Sequence, residues 1–335
     1  MRRLCLILLV LCTLLISCQT GDSPVTDRGT TTVTESENET ETTTAAPPKK
    51  SITFNVMSFN VYYNEAVKHP NNNSEYPIDT TVKVRGPKLK ALLEGEKIDI
   101  FGVQEFSEAW RNWMKKNPLG GYAYVGGYTE STGESGYVFY REDKFSVAEY
   151  GVFWLSEGAP TTPANSWHGD HDRSCTWAIM QSKENGKYFL FMDTHLDNAG
   201  VAARNRGSRL IVEQIALLQK KVKDQYGVAD CPVILVGDMN SLPESLVYQT
   251  FTEVLRDART VSLGDSVDVK YSTSPGMRYY RDGEDFLANG HLIDYIFVSK
   301  SITVKKYSMI HTSSNRCPYG EYISDHNAII ARITL

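Results

Sequence analysis

Two short segments in the C-terminal half place acid, amide and imidazole side chains beside apolar, strand-like runs. The segment VGDMNS contains Asp238 and Asn240, and the segment SDHN contains Asp325 and His326 directly before the apolar run AII. Carboxylate and amide oxygens bind hard cations such as Mg²⁺ or Mn²⁺, and an imidazole can donate a hydrogen bond to charge that develops on a phosphate ester. These residue types therefore indicate metal-dependent hydrolysis of P–O bonds.

Further polar side chains stand where other apolar runs end or begin. They are Asn60, Glu105, His195 and Asp294. Asp238 and Asn240 are two residues apart, so they share one face if the chain stays extended there. Because a sheet holds the ends of its strands rigidly along one rim, we expect all these side chains to converge at that rim.

The runs that must position these side chains are rich in Val, Ile, Phe and Tyr and are bounded by Gly, Pro, Asn and Asp, which predicts strands. They cover residues 52–61, 98–104, 136–140, 175–181, 188–196, 232–237, 291–298, 304–311 and 327–335. Amphipathic patterns predict helices at 204–223, at 82–96 with its regular part beginning at Pro87, and at 108–115. Strands interleaved with helices predict an α/β fold, a four-layer α/β/β/α sandwich of two mixed sheets flanked by helices.

Taken in order, the polar segments resemble the endonuclease/exonuclease/phosphatase superfamily, the exonuclease III-like metal-dependent hydrolases. The resemblance covers residues 52–335. Within the superfamily the chain is similar to an exported bacterial branch, through GVFWLSE at 151–157, Arg173 followed by TW, and THLD at 194–197 followed by Ala203 and Arg204. The resemblance implies the sandwich fold and a divalent-metal-dependent phosphodiesterase, nuclease or phosphatase.

The chemistry and the resemblance together suggest roles for these residues. Glu105 and Asp325 are expected to bind Mg²⁺ or Mn²⁺. Asn60 is expected to orient Glu105, to add to the metal site or to contact the substrate phosphate. Asp238 is placed to take a proton from the attacking water or to orient it, with Asn240 fixing that water.

Two imidazoles and a guanidinium complete the expected catalytic and substrate-binding set. His326 would donate to a phosphate oxygen, and Asp294 would hold it in the required tautomer and favour its protonated form. His195 would be a second imidazole aimed at the same phosphate, which the resemblance ties to the phosphatase, sphingomyelinase and deadenylase branches. Arg173 is either a bidentate phosphate clamp or one half of a surface ion pair.

Two other features have open interpretations. Tyr137 is expected either to hydrogen-bond near the phosphate or to pack in the core. His168, Asp170, His171 and Asp172 form a polar cluster whose spacing fits no regular ligand set, so a substrate-facing loop is favoured over a metal site. Residues 160–172 and 265–285 are the expected rim loops that choose the substrate.

The first 50 residues are predicted to lie outside the fold. Arg2 and Arg3 precede an apolar run, residues 4–16, that is shorter than the roughly 20 residues needed to span a bilayer, which is typical of a signal peptide. The run ends in LISC, similar to a bacterial lipobox, so we expect either a lipid anchor on Cys18 or ordinary secretion. Residues 19–50, rich in Thr, Glu, Ser and Pro, predict a disordered tether, which leaves 51–335 as the catalytic domain.

Charge narrows the class of partner. The chain has 35 basic and 40 acidic residues; without the five basic and six acidic residues of the first 50, the domain keeps 30 minus 34, a charge of −4. Proteins that grip long nucleic acid non-specifically usually have the opposite sign. We therefore expect a monomer that acts on nucleic-acid fragments, phospholipid headgroups, or sugar or inositol phosphates. The alternative is a non-catalytic exported protein that binds phosphate or polyanions on the same fold.

Overall fold

Two six-stranded sheets form the inner layers of the protein in its computed structural model, which describes residues 51–66, 78–127, 136–288 and 290–335. The strands are β1 (Thr53–Asn60), β2 (Ile100–Gln104), β3 (Tyr122–Gly126), β4 (Tyr137–Arg141), β5 (Phe145–Trp154), β6 (Ser174–Ser182), β7 (Tyr188–His195), β8 (Val233–Asp238), β9 (Arg256–Asp257), β10 (Asp294–Val298), β11 (Thr303–Ile310) and β12 (Ala328–Thr334). The helices are α1 (Val82–Gly95), α2 (Glu108–Lys116), α3 (Val201–Tyr226) and α4 (Leu246–Val254). The predicted signal peptide, residues 1–18, and tether, residues 19–50, lie outside the described ranges.

Each sheet has one parallel pair of strands at its centre. The first sheet runs β11-β12-β1-β2-β4-β3, with β1 and β2 parallel, and the second runs β5-β6-β7-β8-β10-β9, with β7 and β8 parallel. Apolar residues of α1 and α2 pack on the first sheet, and those of α3 and α4 pack on the second. The predicted four-layer α/β/β/α sandwich is therefore confirmed.

The layer between the sheets changes from apolar to polar along the strands. In β8, Ile234 and Val236 belong to the inter-sheet core, and Asp238 follows at the same spacing of two residues. In β7, Phe191 of the same core is followed two residues later by Asp193. The same progression ends β1 at Asn60, β2 at Gln104 and, because its direction is reversed, begins β10 at Asp294. All the polar ends lie at one rim.

The helix predicted at 82–96 is confirmed as α1, but its regular part begins at Val82 rather than at Pro87, because the backbone N–H groups of Val84 and Arg85 already bond to the Thr81 carbonyl. The patterns also missed helix α4 and three strands, β3, β5 and β9. Each of these three strands lies at the edge of a sheet. Of the helices in the described ranges, none is both long enough and apolar enough to cross a bilayer.

Candidate active site

One cavity of about 440 Å³ opens where the polar strand ends meet. Six side chains that were given a catalytic, metal or substrate role from the sequence line it: Glu105, Arg173, His195, Asp238, Asn240 and His326. Two more predicted residues, Asn60 and Asp294, are buried and bond to lining residues. The rim is completed by Tyr63, His171, Asn198, Ser274 and Ile293. Side chains from both sheets thus surround one space, large enough for a small molecule.

Asn60, at the end of β1, joins two carboxylates from different sheets. Its Nδ2 donates to Glu105 Oε1 at 2.9 Å and to Asp238 Oδ2 at 3.1 Å, while its Oδ1 accepts the Tyr62 N–H at 3.0 Å. Turning the amide over would set its oxygen against both carboxylates, so the contacts fix its orientation. The amide oxygen faces away from the acids. This geometry fits the orienting role expected of Asn60 and does not fit its use as an oxygen ligand for a metal.

Glu105 reaches the cavity because the backbone turns after β2. Strand alternation directs Gln104 toward the other sheet, so the next side chain would face outward if the strand continued. Glu105 instead has φ 59°, a left-handed conformation that is uncommon for residues other than glycine. Its Oε2 accepts the N–H of Tyr63 at 2.9 Å. Strain of this kind persists where surrounding contacts hold the residue in place, and it clusters at functional sites.

The segment around Asp238 requires a glycine and a second left-handed residue. Gly237 has φ 151°, and a Cβ there would lie 1.9 Å from the Thr194 carbonyl oxygen, so only glycine lets β8 pair this closely with β7. Asn240 has φ 44° and donates its N–H to Asp238 Oδ1 at 2.9 Å. Its Nδ2 donates to Leu196 O at 2.9 Å. Both side chains are therefore held in one orientation facing the cavity.

Asp294 and His326 form a buried pair across the two sheets. Asp294 Oδ2 lies 2.9 Å from His326 Nδ1, and His326 Nε2 lies 3.2 Å from Ser274 Oγ and 3.7 Å from Asp238 Oδ2. Burial lowers the pKa of His326, but the carboxylates of Asp294, Asp238 and Asp325 outweigh burial and hold that pKa well above its ordinary value. The imidazole therefore donates from Nδ1 to Asp294 and presents its Nε2–H on the side of the cavity.

Arg173 lies beside the other imidazole. Its Nη1 is 2.9 Å from His195 Nδ1, and because a guanidinium has no acceptor, the imidazole nitrogen must accept this bond. The other ring nitrogen, Nε2, lies 3.0 Å from Asn240 Nδ2 and 3.5 Å from Asp238 Oδ2. Arg173 is 8% exposed, so the interpretation of it as a surface ion pair is wrong. Its position beside His195 in the cavity is compatible with a phosphate contact.

Buried Arg85 holds together the segments that carry the first-sheet residues. Its guanidinium donates to the backbone carbonyls of Val61, Tyr62 and Asn64, which follow Asn60, and to that of Ile323. Bonds to carbonyls satisfy a cation that would otherwise be costly to bury. The chain after β1 and the chain before β12 are thereby held side by side.

The donor set fits a divalent cation. Among the described residues, one group of three, Asp238, Asp294 and His326, has its ligand atoms within 4.8 Å of one another. His326 of this group is the protonated partner of Asp294, so the ligands that it leaves for a cation are carboxylate oxygens, and Asp294 Oδ1 is buried with no hydrogen-bond partner. The Asn60 amide joins Glu105 to Asp238, so two more carboxylates lie side by side at the cavity. Hard cations bind such oxygens.

The remaining candidates lie outside that group. Asp325 is half-buried next to His326 and accepts from Ser324 Oγ at 3.3 Å. The one group with metal-ligand spacing among the described residues does not include His168, Asp170 or Asp172. The backbone N–H of His171 donates to Asp197 Oδ2 at 3.0 Å, which holds this loop at the cavity rim.

Tyr137 belongs to the core. Its ring packs against Phe106 and Phe139, in agreement with its core interpretation.

Four residues that line the cavity were not found from the sequence. They are Tyr63, Asn198, Ser274 and Ile293. Ser274 falls within the expected rim loop 265–285, and Asn198 directly follows the segment THLD, so position in the chain was the available signal for both.

Comparisons with known proteins agree with this architecture. A family model described as Endonuclease/Exonuclease/phosphatase family matches residues 52–326. A solved endonuclease/exonuclease/phosphatase family protein from Bacteroides thetaiotaomicron is 27% identical, with a TM-score of 0.67, over 86% of this chain and 96% of that one. A mannosyl-6-phosphatase from the same organism is 28% identical, with a TM-score of 0.63, over 84% of this chain and 99% of that one.

A longer curated relative also matches. The CCR4-Not complex 3'-5'-exoribonuclease subunit Ccr4 of Candida albicans is 24% identical over 233 residues, which is 61% of this chain. The match spans 29% of the length of that relative.

Proposed function

This chain belongs to the endonuclease/exonuclease/phosphatase family, whose members are metal-dependent phosphoesterases, and on that premise we propose that it hydrolyses a small phosphomonoester, with a phosphorylated sugar as the substrate class. The observation that carries the proposal is the cavity shared by Glu105, Asp238 and His326. It combines carboxylates suited to a hard cation, a carboxylate able to accept a proton, and an imidazolium able to donate.

Asp238 is the residue proposed to act on the attacking water. Asn60 Nδ2 and the Asn240 N–H each bond to one of its oxygens, so the carboxylate cannot rotate. From this position it orients the water and accepts its proton as the water oxygen bonds to phosphorus. The P–O bond to the sugar breaks in the same step, and the sugar oxygen leaves and takes its proton from solvent. No covalent intermediate with the protein is required.

The two imidazoles are proposed to stabilise charge on the phosphoryl oxygens. His326 donates from Nε2 while Asp294 holds Nδ1, and the His195 ring is held in place by Arg173 at Nδ1 and by Asn240 at Nε2. Donors that are fixed before the reaction cost no reorganisation as charge builds. Glu105 and Asp325 would hold a Mg²⁺ or Mn²⁺ ion, which when bound supplies positive charge against the phosphate.

Three observations support a small monoester as the substrate. The cavity of about 440 Å³ is closed below by buried side chains. The domain charge of −4 disfavours long nucleic acid. The mannosyl-6-phosphatase is similar to this chain over 99% of the length of the phosphatase. The second candidate, an exonuclease, is favoured by the relative in the CCR4-Not complex and by Tyr63, an exposed aromatic residue at the rim that could stack on a base.

A substrate panel with defined metals tests the proposal. The purified protein, first treated with EDTA, is assayed with Mg²⁺ or Mn²⁺ on a hexose 6-phosphate, p-nitrophenyl phosphate, bis-p-nitrophenyl phosphate and a short RNA. We expect metal-dependent release of inorganic phosphate from the two monoesters. Cleavage of RNA or the diester alone would select the exonuclease. Silence on every substrate, with phosphate binding measured by calorimetry, would select the non-catalytic binding protein.

We also propose, from the N-terminal sequence, that the chain is exported in a bacterium and is held at a membrane only through a lipid on Cys18. A monomer is proposed separately, since the cavity is lined by residues of one chain. The expected readout is release of the protein from the membrane fraction in Cys18→Ala. Equal membrane association of this variant and the parent protein would exclude the anchor.

A further inference from the structure

Asp193 is a fully buried carboxyl group between the two sheets, directly below the cavity. It faces the same inter-sheet layer as Phe191 and is 0% exposed. Its Oδ1 accepts from Gln104 Nε2, across the layer, at 2.6 Å. Its Oδ2 and the Oε1 of Gln104 are buried without hydrogen-bond partners. Buried polar atoms are usually paired, so two unpaired oxygens on one bonded pair of side chains require an explanation.

The opposite sheet is shaped to receive this carboxyl. A Cβ on Gly102 would lie 2.4 Å from Asp193 Oδ1, and a Cβ on Gly136 would lie 2.7 Å from Asp193 Oδ2. Both glycines are therefore required by the close approach of the side chain. An apolar residue could fill this space without leaving unpaired oxygens, so packing alone does not account for an acid here.

The two unpaired oxygens complement each other when the acid carries a proton. Burial raises the pKa of Asp193 well above its usual value, and the bond from Gln104 lowers it by less. A protonated carboxyl has one O–H to donate, and Gln104 Oε1 is an unpaired acceptor on its partner. A neutral acid and a primary amide can then exchange two hydrogen bonds.

We propose that Asp193 and Gln104 form a positioning pair across the two sheets that sets Glu105 and His195 relative to each other. This inference rests on the proposed function. Gln104 directly precedes Glu105 in the first sheet, and Asp193 lies two residues before His195 in the second. The hydrogen bond between Gln104 and Asp193 thus joins β2 to β7 directly below the cavity residues that these two strands carry. A displacement of about 1 Å between catalytic groups is enough to cost roughly 100-fold in rate.

Asp193→Ala and Asp193→Asn test the pair, with Phe191→Leu as the matched control on the same face of the same strand. We expect Asp193→Ala to lower kcat at least tenfold with KM changed by less than threefold. In Asp193→Asn the amide NH2 can donate to Gln104 Oε1 whatever the pH, because no acid has to be protonated. This variant should therefore keep kcat within threefold of the parent. Phe191→Leu should lower Tm while keeping kcat within twofold.

The interaction between Gln104 and Asp193 can also be tested by thermal melting, without an activity assay. If the pair exists, Gln104→Ala combined with Asp193→Ala should lower Tm by less than the sum of the two single losses. An additive loss overturns the pair. A parent protein without phosphoesterase activity overturns the proposed function and leaves this thermal result standing. A kcat in Asp193→Ala as high as in Phe191→Leu overturns the positioning role, as does an Asn variant as impaired as the Ala variant.

Discussion

The layer between the sheets has an apolar end and a polar end, built on the same strands and buried to the same degree. At the apolar end, Phe54, Phe145 and Phe189 pack with ring centroids 5.1 to 5.6 Å apart. At the polar end, Asn60 and Asp238 meet through a hydrogen bond of 3.1 Å. Packed rings set the distance between the sheets but leave the direction of individual side chains less defined. Hydrogen bonds depend on angle, so they also fix the direction in which the bonded side chains point.

This difference separates stability from chemistry along each strand. Burial of the phenylalanines and of the aliphatic residues around them stabilises the contact between the sheets. The polar end brings carboxylates such as Asp238 and Asp294 close to one another, which opposes folding unless bonds compensate for it. Variants at the apolar end should therefore lower stability, and variants at the polar end should lower activity.

Asp238→Asn should have the largest effect on activity. The amide keeps the shape, but its single oxygen can accept from only one of the two donors, Asn60 Nδ2 and the Asn240 N–H, and it cannot take a proton from water. We expect kcat to fall at least about 10³-fold, with a smaller loss of Tm than a variant in the apolar core gives. Steady-state kinetics and a thermal melt on the same preparation measure both. Turnover near the parent level, with contamination excluded, would contradict the mechanism.

Phe189→Ala should give the opposite outcome at the apolar end of β7. Truncating a buried phenylalanine costs about 3–5 kcal/mol of unfolding free energy through lost burial and the cavity left behind. Activity per folded molecule should stay within twofold, because the polar strand ends are unaffected. Urea denaturation gives the first quantity, and kcat measured well below the melting temperature of the variant gives the second. A kcat loss as large as that of Asp238→Asn would mean that the two ends are not separable.

Arg173→Lys should have an intermediate effect. Lysine keeps the charge but loses the planar fork that bonds to His195 Nδ1, so both the imidazole and the substrate phosphate lose orientation. We expect kcat/KM to fall about tenfold, equivalent to about 1.4 kcal/mol. Arg141→Lys is the matched control, since Arg141 is paired with Asp143 away from the cavity. Equal effects of the two variants would remove Arg173 from the site.

The sequence predicted central strands well and edge strands poorly. Strands β1, β7 and β8 are buried on both faces, so each appears as an almost continuous apolar run. The missed strands β3, β5 and β9 lie at sheet edges. In β5, half-buried Glu149 and exposed Tyr150 interrupt the pattern, and the register shifts between Val147 and Glu149. An edge strand has one partner and less burial, so its composition is less constrained.

For the candidate site, the sequence indicated which residues would meet but not how their atoms would pair. Asp238 and His326 stood out because each adjoins a buried strand. The orientation of the Asn60 amide depends on the Tyr62 N–H, which no residue pattern encodes. The contact of Asp193 with Gln104 depends on how one sheet is placed over the other. Distances between sheets are set by tertiary packing, so local sequence leaves them open.

Asp193→Asn gives the smallest effect, and its sign depends on pH. The pKa of Asp193 is raised in the folded protein, so the folded state keeps a proton that the unfolded chain releases, and stability falls as pH rises above the ordinary value of 3.8. The Asp193→Asn variant has no acid at this position and therefore does not lose stability in this way as pH rises. Its Tm should equal that of the parent near pH 4 and exceed it at pH 8. Asp143→Asn is the control of opposite sign: the hydrogen bond from Arg141 lowers the pKa of Asp143, so its removal should cost a little stability at pH 8. A Tm difference for Asp193→Asn that stays constant from pH 4 to pH 8 would mean that the buried acid is ionised in the native protein, and that the polar end carries one more charge than its hydrogen bonds indicate.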